Sequence, residues 1–119
     1  MIMLSGKKKV DCRTYDHVWY ATTTCPGMRT GCEHHPEIAG SKKLEALFYE
    51  GKKSPDEIYA MYVEELTSEP KISYLRELVR RSEAGEWFQL IFYEDSPTEG
   101  ERPYMYAILK EMTSEVFIE

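Results

Sequence analysis

EWFQLIFYED, residues 86–95, decides the fold. From Trp87 to Tyr93 the stretch is almost continuously apolar, aromatic or β-branched, and it is short, which favours a strand over a helix. A strand apolar on both faces belongs in the middle of a parallel sheet covered by helices. The acidic pair Glu94-Asp95 and the segment SPTEGERP that follows are turn and loop chemistry, so the strand ends there.

Outward from this strand the chain reads as alternating elements. Residues 101–112 predict a closing helix with Pro103 in its first turn and Met105, Ile108, Leu109 and Met112 on one side; EVFIE, residues 115–119, predicts a short last strand. Upstream, residues 71–84 predict a helix with Ile72, Leu75, Leu78 and Val79 inward, Arg76, Arg80 and Arg81 outward, and Gly85 at its end. SPDEIYAMYVEEL, residues 54–66, carries the clearest local signal. Ser54 can cap, Pro55 suits the first helical position, and Glu57 completes a capping box. Ser41 to Glu50 is a shorter helix closed by Gly51. VWYATTT, residues 18–24, is a strand ending at Cys-Pro-Gly, and a weaker strand is expected near residues 8–15. Strand, helices, strand, helix, strand is an α/β order. It predicts one domain with a small, mostly parallel sheet of three or four strands, right-handed crossovers and helices on both faces, a three-layer arrangement.

The bulk composition agrees. The chain has 119 residues, 42% hydrophobic and 30% charged, and a formal net charge of −6. The acidic balance argues against nucleic acid as a partner. Lys7, Lys8 and Lys9 are the one basic run, read as a solvated N-terminal segment. MIML before it is too short for a signal sequence or a membrane span, and three cysteines do not make a secreted disulfide framework. A cytoplasmic protein with reduced thiols is expected, acting on a small molecule or a protein partner and possible as a homodimer.

PEIAGSKKLEALFYEGKKSPDEIYAMYVEEL, followed by YLRELVRRSEAGEWFQLIFYEDSPTEGERPYMYAILKEM, resembles the proteins grouped as domain of unknown function 488. The resemblance covers roughly residues 36–112 and lies in the order of a helix, a Tyr-spaced helix, a Leu-rich helix, a buried strand with an acidic turn, and a closing helix. Many such proteins carry Cys at the end of the buried strand and a Cys-His-Arg run opening the closing helix. Phe92 or Tyr93 and then Arg102, Pro103 and Tyr104 stand there in this chain, so the thiol and imidazole of that pattern are missing. The resemblance implies a fold and no reaction.

Three constellations hold chemistry. In open parallel sheets ligands bind beyond the carboxyl ends of the strands. That rule brings Thr22, Thr23 and Thr24 beside Glu94, Asp95 and Ser96, with Arg102 opening the closing helix, as a site for a small polar or anionic ligand. The same carboxylates and hydroxyl are also ordinary turn and capping residues. Cys25, Cys32, His34 and His35 are four zinc-type donors, with Cys12 or His17 as substitutes. Their C-x6-C-x-H-H spacing lacks the close pairs of a zinc knuckle, so the stretch leans toward a polar connection over a metal centre. Cys12 beside Arg13 and Cys32 near His34 are alternative nucleophilic thiols. The remaining alternative is a non-enzymatic interaction domain that has lost the Cys-His-Arg site.

Overall fold

The computed structural model describes residues 1–119. Five strands form one sheet: β1 (Ile2–Gly6), β2 (His17–Tyr20), β3 (Cys32–His34), β4 (Phe88–Phe92) and β5 (Val116–Ile118). Every pairing is parallel, and the order across the sheet is β3-β2-β4-β1-β5. Four helices join them: α1 (Lys42–Glu50), α2 (Pro55–Leu66), α3 (Lys71–Glu83) and α4 (Arg102–Met112). The fold is α/β with a small parallel sheet, as expected.

β4 is the centre. All five of its residues are buried, and it pairs with β1 on one side and β2 on the other. The sheet has five strands where three or four were expected, because β1 and β3 were not anticipated. Ile2–Gly6 is an interior strand, with Ile2 and Leu4 fully buried, and only the lysines after it are solvated. The weaker strand expected near residues 8–15 does not form. Lys7–Lys9 make a 3-10 turn, and the Asp11 carboxylate accepts from the backbone N–H groups of Arg13 and Thr14, both at 3.1 Å, which folds that stretch into a turn.

Strand order and handedness dictate the layers. β1→β2 and β2→β3 step one way across the sheet, while β3→β4 and β4→β5 step the other way. Right-handed crossovers then put the first two connections on one face and the last two on the opposite face. The last two contain all four helices. Their apolar stripes, including Leu44, Tyr62, Leu66, Leu75, Leu78, Met105 and Leu109, meet Ile2, Leu4, Trp19, Phe88, Leu90 and Phe92 in one core. The opposite face gathers Val18, Tyr20 and Ile91 under Val10, Tyr15 and Cys32. The expectation of helices on both faces is thus met by four α-helices on one side and by a single 3-10 turn with its connection on the other.

The helix boundaries follow their caps. Ser41 Oγ accepts from the Leu44 N–H at 3.2 Å, and Gly51 closes α1 in the left-handed region at φ 76°. Ser54 and Glu57 form the expected capping box on α2. No helix is long and apolar enough to cross a membrane.

Candidate functional site

Parallel strands put their carboxyl ends on one edge, and the residues after β1, β2 and β4 come together there. Thr22 is buried and its hydroxyl donates to the Thr24 carbonyl at 2.9 Å. Thr23 donates to the Gly40 carbonyl at 2.7 Å, tying β2 to the start of α1. The Thr24 hydroxyl lies 2.6 Å from the Tyr93 hydroxyl. Asp95 pairs with Lys8 at 3.3 Å, and Ser96 faces Thr98 within the loop. The seven residues expected here do share an edge, but most are engaged in holding it together.

Arg102 is the clearest case. It opens α4 and is fully buried. Its two terminal nitrogens donate to the backbone carbonyls of Glu94 and Glu119, so one side chain ties the ends of β4 and β5. Burial draws its pKa down, against the opposing pull of Glu94, Asp95 and Glu119. The third nitrogen, Nε, is buried without a hydrogen-bond partner.

Tyr93 divides the edge into two openings. On the helix side a cavity of about 20 Å³, room for one water, is lined by Thr22, Thr23, Glu45, Tyr49, Glu94 and Glu101 among others. A larger open cleft of about 470 Å³ shares Phe48, Tyr49 and Glu94 with it, and continues past Gly100, Pro103 and Tyr104. The Tyr49 hydroxyl donates to Glu94 Oε1 at 2.6 Å. Partial desolvation against the loop, then that bond to a carboxylate, pushes the Tyr49 pKa up, although the ring is largely exposed. The 94–101 loop wraps the Glu94 carboxylate so closely that Gly100, at φ 71°, has no room for a side chain. Glu101 rests against Gly40, where a Cβ would come within 2.6 Å of its Oε1. Burial, with Glu45, Glu94 and Glu65 nearby, raises the Glu101 carboxyl to about 7.

On the other side of Tyr93 lies a cleft of about 390 Å³ lined by Lys7, Tyr20, Pro26, Gly27, Arg29 and Tyr93. Neither Lys7 nor Arg29 forms an ion pair.

The four zinc-type donors do not converge. Cys25 is exposed and touches only the Pro26 carbonyl. His34 Nε2 is 2.7 Å from the Thr22 carbonyl. His35 stacks on Trp19 with centroids 3.8 Å apart and is flanked by Glu33 and Glu37. Cys32 faces Cys12 instead. Alternation along β3 and the turn after it separates these groups, and nowhere do three His, Cys, Asp or Glu side chains gather in a way that could hold a metal ion. The substitute donor His17 is likewise engaged, 2.7 Å from Glu86.

Glu101, Tyr49, Lys7 and Arg29 were absent from the sequence-based site. Glu101 had a readable signal, an acidic residue at the start of a helix that begins beside a strand end. Lys7 follows from the same strand-end rule once β1 is recognised as a strand. Tyr49 and Arg29 carry no local signal. Comparison with known proteins finds no matching family model, no matching curated protein and no matching solved structure.

Proposed function

We propose that this chain is a small-molecule-binding domain whose ligand is an organic cation, an amine with a modest apolar body. The ligand enters the cleft between α1 and the 94–101 loop. The observation that carries this reading is the Glu94 carboxylate, held by Tyr49 in an opening walled by Phe48, Tyr49 and Tyr104. An ammonium group meets a carboxylate there, and its substituents meet aromatic faces. The cleft is large enough for a small ligand, and it has no cation of its own. The acidic lining favours a cation over the anion that Arg102 had made attractive, since that guanidinium is spent on backbone carbonyls. Glu101, titrating near neutrality beside the cleft, equips the same place for proton transfer.

Titration of isotope-labelled protein with tetramethylammonium and with a primary alkylamine, followed by amide chemical shifts, tests this. Shifts concentrated at residues 48–49 and 98–104, weakened at least about tenfold by Glu94→Gln, are expected. Shifts spread evenly over the acidic surface would remove the proposal.

A second reading is favoured by two cations, Lys7 and Arg29, that line one cleft without a carboxylate partner. The cleft of Lys7 and Arg29 fits a small carboxylate or phosphate, with Tyr20 and Tyr93 beside it. Phosphate in the same titration reports on it through Lys7, Gly27 and Arg29. The resemblance to domain of unknown function 488 stays an inference, in keeping with three helices, a buried strand and a closing helix following one another over residues 36–112.

A further inference from the structure

We propose that Cys12 and Cys32 are a reversible disulfide site, closed by exchange with a small-molecule disulfide such as oxidised glutathione and opened by small thiols. Their sulfurs lie 3.6 Å apart although the residues are 20 positions apart in sequence. They sit on different parts of the fold, Cys12 in the turn between β1 and β2, and Cys32 at the start of the edge strand β3. Both are held there by contacts that do not involve sulfur. The Asp11 N–H donates to Gln89 Oε1 at 2.9 Å, fixing the turn onto the sheet. Cys32 is in register with Val18 and its N–H donates to the Arg29 carbonyl. Gly31, at φ 91°, makes the turn into β3 in the left-handed region that favours glycine, and its α-carbon faces the Cys12 sulfur. A disulfide needs the sulfurs about 1.5 Å nearer, within reach of a side-chain rotation and a small shift of the exposed Cys12 turn.

The exposed Cys12 thiolate attacks one sulfur of the small disulfide. A bond forms between Cys12 and that sulfur, and one small thiolate leaves. Cys32 gives up its proton to solvent and attacks the Cys12 sulfur, and the second small thiolate leaves. Two protein thiols are oxidised and one disulfide is reduced to two thiols. Burial, followed by the bond to Cys12, raises the Cys32 thiol of the reduced protein to about 11; once Cys12 carries the small thiol the burial remains, and closure quickens as pH rises. Closed, the bond staples the thin layer over the second face to the edge strand β3.

Each cysteine falls in its own tryptic peptide, residues 10–13, 14–29 and 30–42. Reduced folded protein is incubated with oxidised glutathione, alkylated and mapped by mass spectrometry. The expected product has lost two hydrogens, links peptide 10–13 to 30–42, and leaves Cys25 alkylated. Its melting temperature is raised by about 10 °C. Cys25→Ser keeps the link, while Cys12→Ser and Cys32→Ser each abolish it. A glutathione adduct that stays on Cys12 while Cys32 remains alkylatable overturns the proposal, as does a link running through Cys25.

Discussion

Gly6 lays its bare α-carbon against the guanidinium of Arg102. A Cβ at Gly6 would sit 2.8 Å from Arg102 Nη2, 3.0 Å from the Glu94 carbonyl and 3.1 Å from the Asp95 α-carbon. The end of β1 therefore closes over the side chain that joins the ends of β4 and β5. Two of these three neighbours are backbone and cannot step aside. Gly6→Ala is expected to cost about 1–3 kcal/mol by overpacking. Arg102→Ala is expected to cost more, about 3 kcal/mol or above, because the buried carbonyls lose charged donors. Urea denaturation checks both; an Ala at position 6 that leaves the midpoint unchanged would show that the junction is loose.

Gln89 is the one polar side chain of β4, and it is buried. Its amide donates to the Lys9 carbonyl at 2.7 Å and to Ser5 Oγ at 3.1 Å, while its oxygen accepts from the Asp11 N–H. A crossover whose one helical turn, Lys7–Lys9, buries no residue has few apolar groups with which to adhere, and this amide supplies the attachment. Gln89→Leu keeps the volume and removes the bonds. It is expected to destabilise by about 1–3 kcal/mol. Amide exchange should quicken at residues 9–14 and stay unchanged in α2 and α3. Uniform loss of protection across the chain would contradict a local tether.

At the other end of β4, Glu86 receives Arg81 through both of its oxygens, at 2.7 and 2.9 Å, and His17 at 2.7 Å. The Arg81 guanidinium also lies over the rings of Trp19 and Phe88. The bonds from Arg81 first, then His17, hold the Glu86 carboxyl down at about 2, against 4.5 for an ordinary Glu. A depressed folded pKa contributes stability above 4.5 that fades as pH falls toward 2. Glu86→Gln is expected to lower the urea midpoint at pH 7 and to flatten its decline between pH 4.5 and 2. A variant with the same decline as the parent would assign acid sensitivity to other carboxylates.

How far the sequence discloses this molecule depends on how local each cause is. The apolar run of β4, the Ser54–Glu57 box and the Ser41 cap are written in consecutive residues, and they form as expected. β1 is not legible because its five residues become a strand only through β4 and β5 on either side. β3 is three residues, Cys-Glu-His, paired along one edge, and no propensity marks it. The strand-end rule groups residues that do share one edge of the sheet, but it says nothing of what each side chain is already bonded to. Arg102 shows why: a charge in sequence reads as available, whereas its burial depends on Gly6 and two carbonyls from distant positions.

Glu101 is where a titration reports on fold and cleft together. Its carboxyl has a folded pKa of about 7, set first by burial and reinforced by Glu45, Glu94 and Glu65, against 4.5 in an ordinary setting. The native state therefore binds the proton more tightly than the unfolded chain. Native stability is greatest below pH 4.5, declines as pH rises, and has lost this contribution above pH 7. Glu101→Gln imitates the protonated form and should remove the decline. At pH 8 the variant is expected to be more stable than the parent by about 2–3 kcal/mol, with the two converging near pH 4.5. The ionised carboxylate also strengthens the field in the cleft, so an ammonium probe should bind the parent more tightly at pH 8 than at pH 6, and Glu101→Gln should show no such gain. Urea midpoints and amine titrations at the two pH values measure both effects. Parallel stability curves for parent and variant would mean that water reaches this carboxyl and that its burial is shallower than the contacts at Gly40 imply.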